Sequence, residues 1–380
     1  NTSTIKGGLE MSKRIVGTTP KVDGFRMPGE FEEQEQIWML WPWRNDNWRL
    51  GAKPAQKAFL DVAKAISEFE PVSLCVPPLQ FENAIARVSA LNCENIRVIE
   101  MTNDDSWIRD CGPTFLINDK GERRAVDWEF NAWGGLVDGL YFPWDQDALV
   151  ARKVCELTNT DSYKTDDFVL EGGSIHVDGE GTVMVTEMCL LHPSRNPHLS
   201  KEEIEQKLKD YLNCEKVIWV KDGIDPYETN GHIDDVACFV KPGEVACIYT
   251  EDENHPFYKE AKAAFEFLSE QTDAKGRKLK VHKMCVTKKP CYLKDADTID
   301  FSEGAIPREE GEVAIASYLN FLIVNGGIIL PQYGDENDAL AVKQVQAMFP
   351  DRKVVGVETT EIAYGGGNIH CITQQQPATK

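Results

Sequence analysis

Basic charge is scarce in this chain. Its 380 residues carry 41 Lys and Arg against 62 Asp and Glu, a formal net charge of −21. A nucleic-acid binder normally shows a basic patch or stripe, so the balance argues against that class. A negative field favours cationic small molecules instead. Long apolar runs are also missing. None reaches the roughly 18 residues that a membrane helix needs. The nearest, residues 318–331, is broken by Asn320 and again at Asn325, Gly326 and Gly327. No basic stretch precedes an apolar one near residue 1, so no secretory signal is read. Closely spaced cysteine pairs are absent. The eleven cysteines are scattered with no C-x-x-C among them, which argues against a zinc or thioredoxin-type motif and for reduced thiols in a cytoplasmic protein. Residues 1–10 lack periodicity ahead of Met11 and read as a non-native leader.

What is present is a core and a repeat. The 42% hydrophobic fraction is enough for real burial. Four segments share one plan, an apolar strand, a glycine-containing turn and a second apolar strand. They cover residues 112–130, 174–187, 232–249 and 318–331, and each predicts a β-hairpin. A helix and a further strand follow in most cases. Ser200 and Glu203 form a capping box ahead of an apolar stripe at Ile204, Leu208, Tyr211 and Leu212. Helical patterns also run from Pro54 to Phe69, from Pro256 and from Asp338 to Phe349. The turn glycines Gly121, Gly181, Gly243 and Gly326 are 60, 62 and 83 residues apart. A fifth hairpin can be assembled from both ends, residues 37–42 and 369–374. The pattern predicts a closed ring of five like units, with two ordinary α/β domains as the alternative.

The polar residues that introduce the hairpins are unusual. They lie in residues 107–112 (WIRDCG), 171–176 (EGGSIH), 228–234 (ETNGHID) and 365–371 (GGGNIHC). The second and last share G-G-[SN]-I-H, 194 residues apart. In a ring, equivalent positions converge on the axis, which would gather Asp110, Glu171, His232, Asp234 and Cys371. One thiol, one imidazole and three carboxylates suit a planar cation with many donors. A guanidinium offers five N–H donors in a fixed fork. Two aspartates would hold it flat, the thiol would attack its carbon, and the histidine would move the protons. His232 and Asp234 are expected on one face of a strand, and Arg109 is expected to point away from Asp110 in extended chain. His176 and His370 read as structural, and Trp107 as core. Taken singly, Asp110 and Glu171 could be turn residues, His232 and Asp234 an exposed ion pair, and Cys371 an inert buried thiol.

The motifs at residues 24–30 (GFRMPGE), 41–49 (WPWRNDNWR), 103–110 (NDDSWIRD), 130–135 (FNAWGG), 170–179 (LEGGSIHVDG), 229–234 (TNGHID) and 365–377 (GGGNIHCITQQQP) together resemble the agmatine deiminases. These belong to the guanidino-group-modifying, or pentein, superfamily. The resemblance runs from about residue 18 to residue 377 without departure at the catalytic positions. It implies a five-bladed, pseudo-fivefold α/β propeller of ββαβ-type modules, forming a single catalytic domain over residues 11–380. It implies hydrolysis of agmatine to N-carbamoylputrescine and ammonia through a cysteine thiouronium intermediate. By this resemblance Cys371 is the nucleophile and His232 the general acid/base. Asp110 and Asp234 bind the guanidinium, and Glu171 pairs with substrate and His232. Trp107, Glu228 and Gly366 border the substrate. No metal or organic cofactor is expected, nor nucleic acid or membrane, and homo-oligomers are.

Other enzymes of the same scaffold, acting on arginine, peptidyl arginine or an amidino acceptor, are the first rivals. Arginine would call for an Arg or Lys facing its carboxylate, and the hairpin-introducing segments offer only Arg109. The first-blade loop over residues 43–50 also contains Arg44 and Arg49. A polyamine sensor without chemistry is the second rival. A papain-like hydrolase is the third, and the order His232 before Cys371 argues against it.

Overall fold

The computed structural model describes residues 12–379, so the leader expected over residues 1–10 lies outside the described residues. The chain is mixed α/β. Five of its sheets repeat one arrangement, an antiparallel pair followed by a parallel third strand. In the first, Thr114–Ile117 pairs antiparallel with Arg123–Glu129, which pairs parallel with Asp161–Val169. His176–Val177, Thr182–Thr186 and Lys216–Val220 repeat this order. So do Ala237–Lys241, Glu244–Ile248 and Lys280–Met284, and then Leu322–Val324, Gly327–Gln332 and Lys353–Glu358. The fifth joins the two ends of the chain. Thr373–Pro377 pairs antiparallel with Gln34–Leu40, which pairs parallel with Val72–Val76.

The parallel step demands a crossover, because parallel neighbours cannot be joined by a tight turn. Helices Lys53–Ser67, Val150–Leu157, Lys201–Leu212, Tyr258–Ser269 and Asp338–Met348 supply the five crossovers. Lys201–Leu212 shows how the sequence specifies one. The Ser200–Glu203 capping box is formed, Asn213 ends the helix in left-handed conformation, and Ile204, Leu208 and Leu212 are buried. Each of those side chains contributes roughly 1.5–3 kcal/mol by leaving water. The hairpin glycines Gly121 and Gly243 have φ of 75° and 79°, which side-chain-bearing residues rarely adopt.

The spacing of 83 residues between the last two turns has a cause. Residues 285–320 hold an additional short sheet of Cys291–Tyr292 and Val313–Ala314. Residues of this insertion and of the connection over residues 130–149 help to line the main cavity. Among the described residues no helix is long and apolar enough to cross a membrane, and all eleven cysteines are free.

Candidate active site

The strands expected to carry the site residues start later than the pattern implied. Each hairpin is preceded by a tight helical turn. These are Ile108–Cys111, Gly172–Ser174 and Ile233–Asp235, a turn closed by Asn320 N–H on Ser317 O, and one closed by Ile372 N–H on Asn368 O. His232 and Asp234 therefore do not share a strand face. His232 precedes the turn and Asp234 lies inside it. Arg109 does point away from Asp110, but through a helical turn rather than an extended chain. Its guanidinium is buried against Gln374, Gln375 and the His370 carbonyl. Turns prevail because each backbone must bend sharply to aim a side chain inward before its strand begins.

Glycine makes the room for this. A Cβ on Gly173 would lie 2.7 Å from His232 Nδ1, 2.8 Å from Asp110 Oδ1 and 2.9 Å from Asp234 Oδ2. Its φ is ordinary, so space and not backbone freedom requires the glycine. Cys371 Sγ stands 3.6 Å from Asp234 Oδ2 and 3.4 Å from Asn320 Oδ1. Sulfur, imidazole and both aspartates thus meet at one point, drawn from three of the five modules and gathered over a glycine of a fourth.

Each acid is held differently. Asp110 accepts from Trp133 Nε1–H (2.8 Å) and Gly173 N–H (2.9 Å). Burial pushes its carboxyl up to about 6; His232 opposes that, and Asp234 and Glu171 add to it. Glu171 accepts from His232 Nε2 (3.0 Å) and Arg195 Nη2 (2.7 Å), all buried. Burial would raise Glu171, but Arg195 and His232 outweigh it and bring it to about 2. Asp234 is likewise lowered against burial, by a hydrogen bond from His370 Nδ1 (3.0 Å). Burial disfavours charge on His232, yet Asp110, Cys189 and Glu171 hold its imidazole well above the ordinary value. Burial and then Asp234, Asp235 and Asp110 push Cys371 well above the usual thiol range. Two buried polar atoms have no hydrogen-bond partner here, His232 Nδ1 and Asp234 Oδ1. Such orphans cost free energy unless a ligand satisfies them.

A cavity of about 780 Å³ is lined by Trp107, Asp110, Glu228, Gly366 and Cys371, among others. Glu171, His232 and Asp234 are not among its lining residues. Trp107 is both core and wall. Its indole stacks on Trp48 at 5.3 Å, and both N–H groups donate to Asp105 at 3.0 Å. Glu228 accepts from Arg308 Nη1 at 2.7 Å, and its Oε2 fills the place where a Gly366 side chain would sit. Arg44, also on the lining, is paired with Asp46. Glu30, His176 and His370, and separately Glu171, Cys189 and His232, bring metal-ligand atom types within 4.8 Å. In both groups the histidine nitrogens nearest the carboxylate are already its hydrogen-bond partners.

Sequence reasoning missed Asn320, Trp133, Arg195 and Arg308. Asn320 had a signal, since it introduces the fourth hairpin. Arg308 lies in the insertion peculiar to the fourth module, and Arg195 in the connection between the second hairpin and its crossover helix, outside the repeated motif.

The sequence matches the Porphyromonas-type peptidyl-arginine deiminase family over residues 26–377. A Streptococcus mutans protein, provisionally named an agmatine deiminase, is 85% identical over 97% of this chain and 100% of its own. A Pseudomonas aeruginosa protein named agmatine deiminase is 56% identical over 96% of this chain and 98% of its own. A solved structure described as agmatine deiminase of Enterococcus faecalis catalysing its reaction is 66% identical. It has a TM-score of 0.94 and covers 97% of this chain and 100% of its own. With full-length similarity and the gathered thiol, imidazole and carboxylates in agreement, this chain belongs to the Porphyromonas-type peptidyl-arginine deiminase family.

Proposed function

We propose that the chain is an agmatine deiminase, hydrolysing the guanidinium of agmatine to N-carbamoylputrescine and ammonia. The observation that carries the mechanism is the meeting point over Gly173, with Cys371 beside it. Asp110 and Asp234 take the guanidinium N–H groups. The bound cation lowers the thiol's pKa, and its proton leaves to solvent through the cavity. The Cys371 thiolate adds to the guanidinium carbon. His232, as imidazolium held by Glu171, protonates one amino group, and the C–N bond breaks to release ammonia. The thiouronium cation remains. Neutral His232 then takes a proton from water, hydroxide adds, and the C–S bond breaks. N-carbamoylputrescine and thiolate form, and the surplus proton leaves with ammonia as ammonium.

Agmatine is favoured over arginine by the cavity's charges. Among the described residues its lining arginines, Arg44 and Arg308, are paired with Asp46 and Glu228, which leaves no free cation for a carboxylate. Trp107, Glu228 and Gly366 border the aliphatic chain and distal amine. The five repeated sheets, closed by pairing of the two chain ends, support a five-bladed propeller acting as one domain over residues 11–380. The free cysteines support a cytoplasmic location. A homo-oligomer is the assembly we expect, and light scattering tests it.

Ammonia release from agmatine, arginine and a peptidyl arginine tests the substrate. Turnover of arginine with none of agmatine would overturn the assignment. Cys371→Ala should lower the rate by several powers of ten, roughly 4 kcal/mol or more in barrier. Acid quench during turnover should leave a mass increment on the peptide containing Cys371.

A further inference from the structure

The two histidines of the repeated G-G-[SN]-I-H motif are held in different protonation states. His176 Nδ1 accepts from Phe239 N–H at 3.1 Å, so its hydrogen sits on Nε2, facing Glu30 Oε2 at 3.2 Å. One proton satisfies that ring. His370 has a carboxylate at each nitrogen, Glu30 Oε1 2.8 Å from Nε2 and Asp234 Oδ2 3.0 Å from Nδ1. A neutral imidazole has one N–H and would set a lone pair against one of these carboxylates. Both carboxyls are held below their ordinary values, so two ionised acceptors at these distances call for two donors. All four side chains are buried, so the arrangement is closed to water.

We propose that Glu30 and His370 form a buried carboxylate–imidazolium strut, a positioning device that aims Asp234 at the substrate's guanidinium. The strut engages Oδ2 and leaves Asp234 Oδ1 buried and unpartnered, ready for a substrate N–H. It stands beside the nucleophile, because His370 precedes Cys371 and the same Oδ2 lies 3.6 Å from Cys371 Sγ. The charged and titratable groups around it are Glu30, Asp234, His176, Arg109, His232, Cys238 and Cys371, with Asp110 and Asp235 facing Asp234. Burial and then Arg109 oppose charge on His370, and Glu30 and Asp234 outweigh them. The inference rests on the agmatine deiminase reading for Asp234's role.

The test uses the full chain. Glu30→Gln keeps the shape and a hydrogen bond to His370 but removes the charge that stabilises it. The KM for agmatine should rise about tenfold with a smaller change in kcat. The acidic limb of kcat/KM should steepen and move up in pH, because Asp234 then titrates along with Asp110. His370→Asn, which keeps a donor to Asp234, should be impaired less than His370→Leu. Folded Glu30→Gln and His370→Asn proteins with unchanged KM and unchanged limb would overturn the proposal. A second readout needs neither variant nor substrate. In the unsubstituted protein labelled with [15N]histidine, the ring that contacts Glu30 and Asp234 should carry protons on both nitrogens at pH 8. A singly protonated ring there would overturn the strut. If the unsubstituted protein fails to consume agmatine while that ring is doubly protonated, the substrate assignment falls and the strut stands.

Discussion

Two kinds of acid wall meet at the pocket over Gly173. On one side Asp234 and Glu171 each touch a cationic side chain, His370 and Arg195, and both are lowered below ordinary carboxylate values. On the other side Asp110 is held by neutral dipoles, the Trp133 indole and the Gly173 amide, and rises to about 6. Burial is similar on both sides. A cationic donor in direct hydrogen bond overcomes it at Asp234 and Glu171, whereas at Asp110 the His232 ring, 3.9 Å away, does not outweigh burial and the repulsion of Asp234 and Glu171. The pocket therefore presents acids that stay ionised across working pH and one that titrates near neutrality.

Asp234→Asn should have the largest effect, lowering kcat/KM for agmatine by about a thousandfold, because it removes a charge the protein has stabilised. Steady-state assays from pH 5 to 9 check this, and a loss under tenfold would dissolve the distinction between the walls. Next is Arg195→Gln, which leaves Glu171 buried without its cation. It should destabilise the fold by about 3–5 kcal/mol, read by denaturant titration. The same wall should yield to acid. Glu171 is lowered to about 2, so its share of stability, about 3 kcal/mol, is present above its unfolded value. That share is lost as pH falls through about 4 towards 2. Asp110→Asn follows, with a loss of about a hundredfold above pH 7. Since Asp110 is ionised only above about 6, the parent's kcat/KM should fall as pH drops through that value, and the gap to the variant should narrow. An acidic limb centred near pH 4 would show that the dipole-held wall does not titrate as described. Trp133→Phe should have the smallest effect. Losing one neutral donor should raise Asp110 further and weaken activity by a few-fold, with the limb displaced upward.

Much of the frame was legible in the sequence. Hairpin turn chemistry, the Ser200–Glu203 box and crossover-helix stripes such as Ile204, Leu208 and Leu212 are local signals, and the structure carries all of them. Strand starts were less legible. Residues 232–236 and 369–372 continue an apolar pattern that reads as strand but close into turns, since aiming a side chain inward outranks strand preference. Asn320 was overlooked because a lone amide in an apolar run looks like an interruption. In the structure it accepts from the amides of His370 and Cys371. Arg195 sits in a loop after the second hairpin, and no spacing rule connects it to Glu171, 24 residues earlier.

From the sequence alone came the acidic balance, the repeated modules, and the types and order of the chemical groups. These depend on local pattern, because turn chemistry and periodicity act over a few residues. Only the tertiary structure decided which acid is hydrogen-bonded by a cationic side chain and which by neutral donors alone. It also decided that two histidines in the same motif carry different proton counts. Those outcomes depend on distances of about 3 Å between side chains that are often more than a hundred residues apart, such as Glu30 and His370, and no local pattern encodes them.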